Sequence, residues 1–146
     1  MGAADGELPL LMVLAVKAMV AEVEAKRERP KVAGMTTMHG IAARYLDGHA
    51  GVTTVELAAH LRVTKQSASE IVGLLEREGY VRRRPHPVDR RARVVELTAR
   101  GTAGLRRSRA RWQALVRDWE ALVAPADLAI VRRVLEAYLQ AAPPDL

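Results

Sequence analysis

The chain has 146 residues, a formal net charge of +6 and no cysteine, so it suits one domain, or a small reading module with a helical extension. The missing cysteines exclude disulfide staples, thiolate metal sites and thiol redox sensing within it. Residues 61–100 hold ten Lys/Arg against five Asp/Glu, and positive charge that concentrated implies an anionic partner: nucleic acid, an acidic membrane surface, or simply solvent.

In chain order, the first element expected is a helix over 8–29, with Pro9 tolerated in its first turn and Pro30 stopping it. Met12, Val16, Met19 and Val23 recur at helical spacing. Leu10, Leu11, Met12, Val13, Leu14 and Val16 cover most of its circumference, more than a chain this short can hide. A partner subunit is expected to cover the excess; the alternative is a helix threaded through the protomer's own core. Lys17 interrupts the stretch well before the roughly 20 apolar residues that span a bilayer. Asp5 and Glu7 stand where a secretory signal carries positive charge. A soluble, cytoplasmic protein without membrane contact is expected.

Residues 30–34 read as a linker, after which Thr36 or Thr37 can cap a helix to about Leu46 bearing Met38, Ile41, Ala42 and Tyr45. The run 47–51 ends it. Thr53 or Thr54 then opens a helix with Glu56 in its first turn and Leu57, Ala58 and Leu61 on its buried side. Arg62 and Val63 form a tight turn, Val63 plugging the core beneath, and Thr64 caps a second helix from Lys65 to about Glu78, ended by Gly79. That second helix has two halves. Ile71, Val72, Leu74 and Leu75 face inward, while Lys65, Gln66, Ser67, Ser69 and Glu70 leave a polar N-terminal face able to bond base edges and phosphates. Any exposed helix start shows such polarity, so this turn alone is weak evidence.

The hairpin that follows strengthens it. Tyr80-Val81 and Val94-Val95-Glu96-Leu97 have strand composition and bracket a loop with Pro85, Pro87 and Asp89-Arg90. Six arginines fall within 82–93. Arginine at a loop tip suits a narrow minor groove, and arginine nearer the strands suits phosphates. Asp89 is expected to pair with Arg91 or Arg93 and brace the loop, because an unpaired acid facing phosphate would weaken binding. A helix, a turn, a polar helix and a basic hairpin in that order are the parts of a winged helix-turn-helix.

Three segments carry a resemblance to a known family: Leu57-Ala58-Ala59-His60-Leu61-Arg62-Val63-Thr64-Lys65-Gln66-Ser67-Ala68-Ser69; Leu74-Leu75-Glu76-Arg77-Glu78-Gly79-Tyr80-Val81; and Asp89-Arg90-Arg91-Ala92-Arg93-Val94-Val95-Glu96-Leu97-Thr98-Ala99-Arg100-Gly101. Together they resemble the MarR family of winged helix-turn-helix transcription regulators. The Asp-Arg-Arg wing followed by Leu-Thr and Gly is the specific part, and the likeness extends over roughly 35–140. The resemblance implies a homodimer on a pseudo-palindromic double-stranded DNA operator, usually a repressor, often released by a small aromatic or phenolic ligand. Carried over, it puts major-groove contacts on Thr64, Lys65, Gln66, Ser67 and Ser69, wing contacts on Arg84, Arg90, Arg91 and Arg93, and the brace on Asp89. The chain departs from the usual pattern at Glu70, which can accept from cytosine or from its own helix, and at Gly73, which costs about 1 kcal/mol of helix propensity against Ala.

After the wing, Thr98 or Thr102 caps a long helix to about Val123, with Leu105, Trp112 and Trp119 at seven-residue spacing and arginines 106, 107, 109, 111 and 117 on its polar faces. Pro125 and Asp127 start a last helix carrying Leu128, Val131, Leu135, Tyr138 and Leu139, and Pro143-Pro144 closes it. The fold class expected is mainly α with a small β-hairpin wing. Residues 1–34 and 102–146 form the helical dimerisation region, and 35–101 the DNA-binding domain. The resemblance places a ligand pocket where these parts meet, with Met38, His39, Arg44, Tyr45 and His49, and Trp112 and Trp119 above them, as candidates, although Met38 and Tyr45 fit core or interface packing better. The four histidines lack metal spacing, so neither metal nor cofactor is expected. No nucleotide loop, zinc-protease or serine-hydrolase motif occurs, so an enzyme is not expected. The remaining rival is a winged-helix module that binds protein or RNA; this arginine density exceeds what protein contact needs, and single-strand RNA binding needs stacking aromatics that are scarce here.

Overall fold

A computed structural model describes residues 6–142, so Asp5 and the closing Pro143-Pro144 lie outside the described residues. Six helices and a three-stranded antiparallel sheet run in the order α1 (Glu7–Ala25), α2 (Thr37–Gly48), β1 (Val52–Thr53), α3 (Thr54–Leu61), α4 (Lys65–Arg77), β2 (Val81–Pro85), β3 (Arg93–Leu97), α5 (Ala99–Glu120) and α6 (Pro125–Ala141). The expected fold class holds.

One core sits under the helix-turn-helix. Ala42 and Leu46 of α2, Leu57 and Leu61 of α3, Ile71, Val72 and Leu75 of α4, and Val52, Val81 and Val95 of the sheet close on one another. Val63 packs against this cluster from the turn, as does Tyr80. The sheet order is β1-β3-β2. β1 is only two residues long, pairing Val52 with Val95 and Thr53 with Val94, too short for any period in the sequence to reveal it.

The helix starts follow their caps. Thr53 accepts from the Glu56 amide while the Glu56 carboxylate accepts from the Thr53 amide at 2.7 Å, a reciprocal box that settles two orphan donors. Thr64 accepts from Ser67 N–H at 3.1 Å, and Thr98 from Gly101 N–H at 3.1 Å. Thr98 Oγ1 also donates to the Gly79 carbonyl at 2.6 Å, tying the start of α5 to the end of α4. Gly101 has to be glycine there: a Cβ would stand 2.0 Å from the Tyr80 carbonyl oxygen.

Two boundaries differ from expectation. α1 stops at Ala25, short of Pro30, and Lys26 bridges from its C-terminus to Glu22 at 2.7 Å and to Asp118 of α5 at 3.0 Å. β2 runs through the arginines to Pro85, so Arg82, Arg83 and Arg84 are strand residues and the loop proper is 86–92. Cross-strand partners explain this: Glu96 accepts from Arg82 at 3.2 Å and faces Arg84 at 3.6 Å.

α1 buries only Val23, and α6 buries no residue. Leu11, Leu14, Val16, Val131 and Tyr138 are among the large apolar side chains left in solvent. The helix threaded through its own core is thereby ruled out for the protomer.

Candidate nucleic-acid interface

The turn between α3 and α4 aims the second helix. Arg62 there adopts a left-handed conformation with φ 53, and Val63 N–H donates back to the Ala58 carbonyl at 3.1 Å, which ends α3 sharply. α4 buries Ala68, Ile71, Val72 and Leu75 and leaves Thr64, Lys65, Gln66, Ser69 and Glu70 exposed. Ser67 is half-buried, and its hydroxyl accepts from Thr64 at 2.9 Å. Glu70 accepts from Gln66 at 3.2 Å, the second of the two roles open to it from sequence. Gly73 is easily accommodated, since a Cβ would meet only Arg77 Nη1 at 3.5 Å.

The wing is held by contacts among its own residues and by one to the helix. The Arg91 backbone amide donates to Asp89 Oδ1 at 2.9 Å, so Asp89 acts through a tight Asx-type turn instead of through an arginine side chain. His86 supplies a brace the sequence reading missed: its Nδ1 accepts from the amides of Val88 at 3.2 Å and Asp89 at 3.0 Å. Ala92 N–H closes the turn on the Asp89 carbonyl at 3.1 Å. With the carboxylate occupied by backbone, Arg90, Arg91 and Arg93 are exposed and have no ion pair among the described residues. Arg84 is partly committed to Glu96. Arg83, on the opposite face of the strand, pairs with Glu76 of α4 at 3.0 Å and pins the wing to the second helix.

A partly open cavity of about 810 Å³ lies where α1 and α5 meet α2 and the segment before it, lined by Val23, Met35, His39, Tyr80, Arg111 and Trp112 among others. Of the candidate pocket residues only His39 and Trp112 reach it. His39 is buried, 6 % exposed, and its Nδ1 accepts the Thr36 backbone amide at 3.0 Å as part of the α2 cap. Burial holds its pKa below the ordinary 6.5, against a smaller opposing effect of that hydrogen bond. Tyr45 is instead stacked between His49 at 4.2 Å and His60 at 3.9 Å, a joint between α2 and α3. Burial, with the neighbouring His49 second, lowers the His60 pKa as well. Met38 packs on the core and Arg44 is exposed. No group of three metal-ligating side chains occurs among the described residues.

Residues 33–92 match the model of the MarR family. That stretch runs from just before α2 to the end of the wing loop, less than half of the chain. Solved structures share its fold across nearly its whole length. The PcaV transcriptional regulator of Streptomyces coelicolor, in complex with its natural ligand, superposes with a TM-score of 0.77 at 18 % identity, covering 98 % of this chain and 100 % of that one. Wild-type MarR of E. coli in its apo form gives 0.72 at 21 % identity, covering 95 % and 99 %. MepR of S. aureus in complex with DNA gives 0.74 at 20 % identity, covering 90 % and 94 %. No curated protein sequence matches the chain. Those likenesses show the fold, a winged helix-turn-helix with flanking helices. No helix of the described residues is long and apolar enough to cross a membrane.

Within this fold the sequence reading located the helix face and wing but missed three contacts that orient them: His86 to the wing amides, Arg83 to Glu76, and Arg62 to the end of α6. Arg62 donates to the Ala142 carbonyl at 3.0 Å and also to Leu139, joining the helix-turn-helix to the last helix. Only the second of those three had a signal, an acid and a base either side of Gly79; the others span no readable pattern.

Proposed function

We propose that this chain is a homodimeric, sequence-specific repressor that binds a pseudo-palindromic double-stranded operator and leaves it when a small aromatic or phenolic ligand occupies the cavity. One observation carries the DNA reading: a wing whose loop has Asp89 as its only acid, consumed by backbone, presents Arg90 and Arg91 outward, next to a helix whose polar start is solvent-facing. Thr64, Lys65, Gln66, Ser67 and Ser69 meet the major groove, Thr64 and Ser67 chiefly through the amides their cap organises, while Arg90 and Arg91 enter the minor groove and Arg84 and Arg93 follow phosphates.

The dimer reading rests on the apolar surface of α1 and α6, which a second copy would bury; residues 1–34 and 102–146 are assigned to that interface and 35–101 to the reading domain. Two recognition helices then stand about one helical turn, roughly 34 Å, apart. The ligand reading rests on the cavity between the two regions, and is in keeping with PcaV having been solved with its natural ligand. We place the protein in the cytoplasm, where its operator would be.

Binding to duplex fragments selected from a random pool, titrated against salt, tests the DNA reading. The double variant Arg90→Ala/Arg91→Ala should weaken binding at least tenfold and lower the salt slope by about 0.9 for each phosphate that is no longer neutralised. Unchanged affinity and slope would remove the wing from the interface. Binding of RNA or protein with no duplex affinity at low salt would overturn the regulator reading.

A further inference from the structure

The last helix ends on a cation supplied from far along the chain. α6 has no basic residue in its final turn, although the open carbonyls of a helix C-terminus carry partial negative charge that a cation stabilises. Residue 143 is a proline, which has no amide hydrogen, so the Leu139 carbonyl lacks the donor that the residue four places on gives in a helix. Arg62 fills the place. Its Nη1 donates to the Ala142 carbonyl at 3.0 Å, and its Nη2 donates to the Leu139 carbonyl. A planar guanidinium holds two acceptors at a fixed spacing, which a single ammonium cannot do.

The other end of this bridge is equally particular. Arg62 stands in the turn between α3 and α4 with φ 53, a conformation that glycine adopts freely and that a residue with a Cβ adopts at a cost. An arginine occupies it all the same, with its side chain committed to α6. α4 begins at Lys65, and the two residues between are fixed: the Val63 amide is bonded to the Ala58 carbonyl and Thr64 is the α4 cap. Little slack therefore separates the bridge from the start of α4. α6 buries no residue, so packing inside the protomer does little to hold its angle to the reading head. We infer that Arg62 is a positioning residue: by clamping the α3–α4 turn to the end of α6, it sets the spacing and angle of the two recognition helices on the operator. This rests on the dimer reading above, in which α6 belongs to the interface, and it assigns to one side chain the rigidity that such a dimer requires. Each base pair between half-sites changes their separation by roughly 3.4 Å and turns one against the other by roughly 34°, so a clamped pair of heads accepts one spacing and a swinging pair accepts several.

The full chain is tested by gel shift on its selected operator, on copies with one base pair inserted or removed between the half-sites, and on an isolated half-site. The unmodified protein should lose at least tenfold in affinity on either altered copy. Arg62→Gly removes the clamp and keeps the turn, which glycine favours. It should shrink that penalty to under threefold, with dimer state and half-site affinity unchanged and the melting temperature little altered, because relief of the turn offsets the lost hydrogen bonds. Arg62→Lys, a single donor group on a flexible stem, should restore part of the penalty. Arg62→Asn tolerates the same backbone and serves if Arg62→Gly does not fold. A tenfold penalty that survives in an uncharged variant, or an unmodified dimer indifferent to spacing, would overturn the positioning role and leave the dimer reading standing. An unaltered penalty with a salt slope lowered by about 0.9 per protomer would mean that Arg62 neutralises a phosphate instead, and would overturn it as well. A monomer in sedimentation, or an operator bound no more tightly than its half-site, would sink the dimer reading itself and this inference with it.

Discussion

The reading head and the two terminal helices α1 and α6 all carry apolar faces, yet these end in opposite states. In the head, the apolar positions of α2, α3, α4 and the sheet are buried on one another. In α1 and α6 they are exposed: Leu14 is 63 % and Tyr138 69 % accessible. Hydrophobicity reports that a face will be covered, but not by which chain. Residues separated by a turn can find one another within a protomer; α1 and α6 stand at opposite ends of the chain, and apart from the Arg62 tether at its C-terminal end α6 keeps its apolar side in solvent.

The sharpest way to break that contrast is to charge the uncovered side. Leu14→Asp combined with Leu135→Asp should abolish the dimer in sedimentation and drop operator affinity to the level of random DNA, a loss of at least about 10³-fold, with the circular dichroism of the head retained. A variant that stays dimeric would mean these helices face something else. The corresponding break in the head is Gly101→Ala. Its Cβ has no room beside the Tyr80 carbonyl, and overpacking of this kind costs about 1–3 kcal/mol, visible as a lowered denaturation midpoint without any change in oligomeric state.

Acid should separate the two regions more gently. The folded state lowers the His39 pKa, so the unfolded chain binds its proton first: that contribution is intact above the ordinary 6.5 and is lost as pH falls from there through the lowered value. The Glu56 carboxyl, held below its ordinary 4.5 chiefly by the Thr53 amide, follows the same sign lower down. His39→Gln keeps an acceptor for the Thr36 amide, and should flatten the upper part of the pH dependence of stability. An unaltered profile below pH 6.5 would show that His39 does not govern it. The smallest effect expected is a gain: Gly73→Ala in α4 meets only ordinary contact with Arg77, and should raise stability by about 1 kcal/mol while leaving DNA affinity as it was. A fall in stability would show that the close approach is tighter than it looks.

What the sequence determined on its own was local. Thr53 with Glu56, Thr64 and Thr98 could be seen as helix starts because a cap and its target lie within three residues, and Gly79 as a helix end because its positive φ of 73 suits glycine. The polar start of α4 and the arginine-bearing wing were legible for the same reason. Tertiary structure alone decided β1, whose two residues are a strand only because Val94 and Val95 pair with them. It also decided the tethers from Arg83 to Glu76 and from Arg62 to the end of α6, and the place of Arg111 in the cavity wall where Tyr45 was expected. These join residues brought together by the packing of whole elements, and side-chain chemistry carries no record of which distant neighbour that packing will supply.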